Sequence, residues 1–142
     1  VYGPAGRPDM SPFRFVQWIS EGRPLVLYGD GTQSRDFTYV DDVARGTVAA
    51  LALGGYQVVN LGSDAPLILN HVIGTFEDLV GKKAIIDRQP IQPTDVPATW
   101  ADISEAKRLL GWRPQMTFPG GAAMLVEWYQ DNREWARGIR TA

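Results

Sequence analysis

Cysteine is absent from the 142-residue sequence, and histidine occurs once, as His71. The first absence excludes a disulfide scaffold, a thiol nucleophile and a cysteine zinc site, and it leans toward a reducing, cytoplasmic setting. A lone imidazole cannot assemble a metal site, and His71, near a helix start, reads as a surface or half-buried residue rather than a general base. No run approaches the ~20 apolar residues that cross a bilayer. The opening Val1-Tyr2-Gly3-Pro4 lacks both the basic and the apolar regions of an export signal, so no membrane association is expected. Charge of one sign is also lacking: 14 Lys and Arg stand against 16 Asp and Glu, giving a formal net charge of −2 spread along the chain. That balance offers no nucleic-acid surface. Repeats, heptads and low-complexity tracts are missing too.

What is present is apolar material, 44% of residues, with 11% aromatic. This is enough for one core and too little length for two, so residues 1–142 are expected to form a single domain. A start on Val1-Tyr2 ahead of a Gly-Pro turn reads as entry at the end of a strand, and the chain is expected to be a fragment.

Punctuation by Pro and Gly sets the elements. Ser11-Pro12 reads as a helix cap and first-turn pair, and Phe15, Trp18 and Ile19 share a face until Gly22 and Pro24, predicting a helix over about 12–21. Two β-rich runs, 25–28 and 37–40, bracket the polar loop Gly29-Asp30-Gly31. Asp41 and Asp42 suit the positive end of a helix dipole and predict a helix over about 42–53. Further strands are expected at 57–61 and 83–87, on either side of a helix carrying Val72, Ile73, Phe76, Leu79 and Val80. Three prolines, Pro90, Pro93 and Pro97, make 89–98 a stiff exposed connection. Asp102 and Glu105 form a capping-box pattern, and a last helix is predicted over about 119–134. The class is α/β: a small mixed domain of short strands and about five helices, with an incomplete sheet.

Gly29-x-Gly31-x-x-Ser34 after an apolar strand mimics a dinucleotide-binding loop. A true fingerprint opens into a helix, whereas Arg35-Asp36-Phe37-Thr38-Tyr39-Val40 has strand character, so a tight glycine turn is the better reading.

The stretch from Tyr28-Gly29-Asp30-Gly31 through Arg35-Asp36-Phe37-Thr38-Tyr39-Val40-Asp41-Asp42 resembles a signature of extended short-chain dehydrogenases acting on nucleotide sugars, the NAD-dependent epimerase/dehydratase family. Val1-Tyr2-Gly3-Pro4 with Arg7-Pro8-Asp9-Met10, the run from Gln92-Pro93-Thr94-Asp95 to Trp100-Ala101-Asp102, and Leu109-Leu110-Gly111-Trp112-Arg113-Pro114 match it in the same order. The resemblance covers almost the whole chain, in register with the family's C-terminal, substrate-binding portion, and implies an extended short-chain dehydrogenase fold lacking most of the Rossmann sheet. Arg7-Pro8-Asp9-Met10 is most like the UDP-glucuronate 4-epimerases, with UDP-glucose 4-epimerases close by.

The resemblance implies a UDP-sugar ligand and a role for each matching residue. Arg35 would grip the diphosphate, for which a planar, permanently charged fork is suited. The main chain of Tyr28 would meet the uracil edge, and Asp95, an acceptor-only carboxylate, the ribose hydroxyls. Arg7 would face the C5 carboxylate of a glucuronate. Gln92 stands where some relatives carry a second phosphate-gripping arginine, and Thr94 where many carry glycine; Arg88 is a nearby substitute charge. On the residues alone, Arg35 could as well pair with Asp30 or Asp36, Asp95 could be a turn residue, and Arg7 an exposed loop charge. The five tryptophans read as core and rim packing.

The family's chemistry needs NAD and a Tyr-x-x-x-Lys pair. None of the five tyrosines has a lysine four positions on. No cofactor is therefore expected on these residues, no turnover by them alone, and NAD only in a complete enzyme. Unpaired strand edges lead to the further expectation of a homo-oligomer such as a dimer, or of docking onto a separate Rossmann half; a non-catalytic interaction module is the alternative.

Overall fold

A computed structural model describes residues 1–141. In chain order the elements are α1 (Ser11–Glu21), β1 (Pro24–Tyr28), β2 (Ser34–Arg35), α2 (Val40–Ala50), β3 (Leu67–Ile68), α3 (Leu69–Val80), β4 (Ile85–Gln89), α4 (Ser104–Leu110), α5 (Phe118–Asp131) and α6 (Arg133–Ala136). β1 pairs in parallel with β4, and β2 pairs antiparallel with β3. Mixed helix and short strand, with two two-stranded sheets, is the α/β class the sequence predicts.

The main core lies where α1, α3 and α5 meet over β1. α1 contributes Phe13, Phe15, Val16 and Ile19, α3 contributes Val72, Ile73 and Phe76, α5 contributes Leu125, Val126 and Tyr129, and β1 contributes Leu25 and Leu27. Each such side chain adds roughly 1.5–3 kcal/mol when fully buried. Two polar side chains inside are tied to the C-terminal segment: Gln17 Nε2 donates to the carbonyls of Ala136 and Ile139, and Trp18 Nε1 donates to Thr141 Oγ1. A second, smaller core gathers Ile103, Ala106 and Trp112 against Val59 and Leu61.

Two carboxylates join these parts. Buried Asp42 accepts from the backbone N–H groups of Gln115 and Met116 and from Arg45, while the indole of Trp112 donates to its carbonyl. Asp36 accepts from the N–H groups of Ser63, Asp64 and Ala101 and from the Ser63 hydroxyl.

Several element boundaries differ from the sequence expectation. α1 starts one residue early, with extended Met10 as its cap and no side-chain cap bond, and closes on left-handed Gly22. The 37–40 run forms only one bridge, Tyr39 to Tyr2, before α2 begins at Val40. α2 ends three residues early because Leu51, Ala52 and Leu53 donate to the carbonyls three residues back, a tightened last turn. Residues 57–61 make no ladder, since no described strand lies beside them. The strand expected at 83–87 is β4 at Ile85–Gln89, because Glu77 captures the Ala84 N–H and Lys83 to close α3. Asp102 does hold Ser104, but Glu105 turns to Arg108 instead of reaching back, so the box is half formed. The expected 119–134 helix begins at Phe118, capped by Thr117 Oγ1, and breaks at Asn132 into α5 and α6.

Candidate functional site

β1 delivers Tyr28 to the rim of the fold, and the turn that follows is locked from the start of α3. Gly29 and Gly31 take φ of 77° and 83°, conformations open to glycine. A Cβ on Gly31 would lie 2.2 Å from Asn70 Oδ1, while Asn70 Nδ2 donates to the Asp30 carbonyl. The turn then enters β2, not a helix, and Gln33 folds back to donate from Nε2 to the Tyr28 carbonyl at 2.7 Å. Asp30 is held below the ordinary carboxylate range by the hydroxyl and N–H of Thr32.

Against β2 runs the proline segment. The Ser34 N–H donates to the Pro97 carbonyl at 2.9 Å, and the Thr99 N–H donates back to the Ser34 carbonyl at 3.3 Å. This short parallel contact, Ser34 with Ala98, sets the position of 92–97. Within the segment the Asp95 N–H turns onto the Gln92 carbonyl. The outcome is an ion pair between Arg35 Nη2 and Asp95 Oδ1, groups 60 residues apart in sequence. Their side chains are 25% and 30% exposed, open enough for a ligand to reach both.

The pair stands in a cleft of about 230 Å³ whose lining includes Asp9, Ser11, Arg14, Tyr28, Gln33 and Leu69. Beyond Tyr28 lies a wider hollow of about 700 Å³, lined by Val26, Gln89, Pro90, Ile91, Gln92 and Pro93. Val26 and Tyr28 form the wall common to both. An anion-gripping fork, an acceptor carboxylate and an apolar shelf in series suit a ligand with a phosphate, a sugar diol and a flat ring.

Residues 1–62 match the NAD dependent epimerase/dehydratase family. Over 141 residues the chain is 50% identical to a UDP-glucuronate 4-epimerase of Thermodesulfobacterium geofontis, covering 99% of this chain and 44% of that protein. The structure is similar to that of UDP-glucuronic acid 4-epimerase from Bacillus cereus in complex with UDP-glucuronic acid and NAD, with TM-score 0.87 and 37% identity over 92% of this chain and 43% of that one. A UDP-glucose 4-epimerase from Thermotoga maritima, solved with UDP-glucose, gives TM-score 0.87 at 27% identity, covering 93% and 44%. The chain is thus similar to the NAD dependent epimerase/dehydratase family, over residues 1–62 by the family's own pattern and over nearly all of its length by these relatives. It spans under half the length of these relatives and corresponds to the C-terminal part of their extended short-chain dehydrogenase fold.

Among the family-matched residues, the structure brings Tyr28, Arg35 and Asp95 to one cleft and leaves two apart. Gln92 lies in the adjoining hollow, beside Tyr28 but away from the Arg35 guanidinium. Arg7 lines neither: its exposed side chain donates from Nε to Asp9 Oδ1 at 3.1 Å and borders a small hollow between residues 1–6 and α1. Asp9, which does reach the cleft, is held below the ordinary carboxylate range first by its hydrogen bond from Arg7. Arg88 donates to the Gly29 carbonyl, a long 3.4 Å contact on the same rim.

Gln33 and Arg14 are cleft residues that the sequence pattern does not single out. Gln33 sits inside the epimerase signature, and its burial, 7% exposed, is the only sign of its bond to Tyr28. Arg14 reads as the polar position of an amphipathic helix. His71 borders a separate hollow of about 330 Å³ with Phe37, Met116 and Phe118, away from the Arg35–Asp95 pair.

Proposed function

We propose that this chain is the nucleotide-sugar-binding part of an NAD-dependent UDP-sugar 4-epimerase or dehydratase, a single substrate-binding domain with UDP-glucuronate the favoured ligand. The observation that carries the reading is the convergence of Arg35 and Asp95 on one cleft beside Tyr28. In this reading Arg35 forks onto the diphosphate, Asp95 accepts from the ribose hydroxyls, and the base lies on Tyr28 and Ile91 with Gln92 beside it. Arg7 reaches a glucuronate carboxylate by exchanging its present partner, Asp9, for the substrate anion. Solved relatives carry UDP-glucuronic acid or UDP-glucose together with NAD, and several similar curated relatives bear UDP-glucuronate 4-epimerase names.

NAD does not fit the described residues. The glycine turn 29–31 packs on Asn70 and leads into β2, so it offers no helix N-terminus to a pyrophosphate. These residues hold no Tyr-x-x-x-Lys pair either, so hydride transfer belongs to a partner portion outside them. Binding and orienting the UDP-sugar is the work assigned here, in a cytoplasmic enzyme.

The test is calorimetric titration with UDP and UDP-glucuronate. Saturable binding that weakens about tenfold or more on Arg35→Ala is expected, since charge-assisted hydrogen bonds contribute roughly 1.5–3 kcal/mol. Absence of binding at millimolar ligand overturns the reading. A second reading, an interaction or oligomerisation module, is favoured by one observation: Val48, Leu51, Tyr56 and Val58 are between 67% and 89% exposed along α2 and the stretch after it.

A further inference from the structure

The cleft beside Arg35 carries more charge than the ion pair, and most of it is already matched. Arg35 is paired with Asp95, and Asp9 is paired with Arg7. Arg14 is the second cation lining the cleft, and it makes none of the ion pairs among the described residues. Its Nε is closed off from solvent and has no hydrogen-bond partner. The guanidinium lies 5.8 Å from the Trp18 ring centroid, held in place by a cation–π contact, not by a carboxylate. Its charge reaches the neighbouring Asp9, where it is the smallest of the contributions that lower that carboxyl, well behind the Arg7 hydrogen bond.

A buried, unpaired guanidinium donor is costly unless something compensates it. With both neighbouring pairs internally neutral, the net attraction of this cleft for an anion comes from Arg14. We infer that Arg14 is a second phosphate-binding residue of the cleft, contacting the diphosphate of a nucleoside-diphosphate ligand opposite Arg35. The inference rests on the proposed nucleotide-sugar site and adds a residue to it. Because Arg14 Nε is already shielded from solvent and the guanidinium lies over Trp18, the ligand meets a preorganised cation and loses little side-chain entropy in recruiting it. Trp18 is in turn fixed by its bond to Thr141, so the platform is rigid.

The test compares UDP with uridine, which lacks the phosphates, in the wild-type chain and in Arg14→Gln and Arg14→Lys. Arg14→Gln is expected to weaken UDP about tenfold while leaving uridine unchanged, and to flatten the dependence of UDP affinity on ionic strength. Arg14→Lys, which keeps the charge, is expected to recover part of the loss. A purely structural role over Trp18 would weaken UDP and uridine together, and that result overturns the inference. Unchanged UDP affinity in Arg14→Gln, with Arg35→Ala still impaired, removes Arg14 and leaves the site standing. Failure of the wild-type chain to bind UDP removes both. Should Arg14→Gln melt well below wild type, the Arg14→Lys salt dependence decides: a slope equal to wild type supports a charge role, and a flattened slope refutes it.

Discussion

Substituting Asp95 by alanine should move two ligands in opposite directions. In the free chain Asp95 occupies the Arg35 guanidinium that the proposed function assigns to a diphosphate. Both side chains are about a quarter to a third exposed, so the pair contributes no more than ~1 kcal/mol, an equilibrium factor of about five. Inorganic pyrophosphate, with no ribose, must compete with Asp95 for that guanidinium and gains nothing from the carboxylate. Its affinity should therefore rise up to about fivefold in Asp95→Ala. UDP gains the same release of Arg35 but loses the acceptor for its ribose hydroxyls, a charge-assisted contact of roughly 1.5–3 kcal/mol. The difference, about 0.5–2 kcal/mol, predicts weakening of about two- to thirtyfold. Parallel titrations of pyrophosphate and UDP into wild type and Asp95→Ala, at one ionic strength, measure both. If pyrophosphate binding weakened along with UDP, Asp95 would be shaping the loop rather than competing for Arg35, and the assignment of Asp95 to the ribose would fail.

Other expectations concern stability and assembly. Asp42→Ala strips acceptors from the N–H groups of Gln115 and Met116 and leaves Arg45 unmatched; a loss of about 3 kcal/mol is expected in urea unfolding followed by Trp112 fluorescence, and a loss below about 1 kcal/mol would refute the tie. Gly31→Ala combines a left-handed φ with a clash on Asn70, so it should lower both the melting temperature and UDP affinity. Glu21 is depressed below the usual glutamate value mainly by its hydrogen bond from Arg133, and Glu77 by its bond from Lys83. Folded values below the unfolded one mean stabilisation present above about pH 4.5 and lost as pH falls through the folded values; Glu21→Gln should shrink that acid-side slope in melts from pH 5 to 2. Replacing Leu51 and Val58 by serine should reduce self-association in light scattering, and a strict monomer before and after the change would count against an interaction surface on this face.

Helices were the most readable part of the chain, because Gly22, Gly81 and Gly111 stop them in left-handed conformations that glycine adopts freely. Strands were less so. Residues 37–40 and 57–61 have the composition of strands, but a ladder needs a neighbour, and composition carries no information about neighbours. β4 shifted by two residues because a single carboxylate, Glu77, claimed the Ala84 amide, an interaction invisible in β propensity. At the site, the signature marked Arg35 and the proline segment marked Asp95, yet their meeting depends on main-chain bonds of Ser34, which no residue identity encodes. Arg14 was hidden for the opposite reason: on a helix with Phe15 and Trp18, one cation looks like ordinary solvent-facing decoration until the cleft beside it is seen.

Ser34 fastens the proline segment with its amide and its carbonyl, and neither bond uses its hydroxyl. The position is thus indifferent to side-chain chemistry but intolerant of proline, which has no amide hydrogen to give. The register of the Arg35 turn against the proline segment therefore rests on a residue whose identity reveals nothing of its duty.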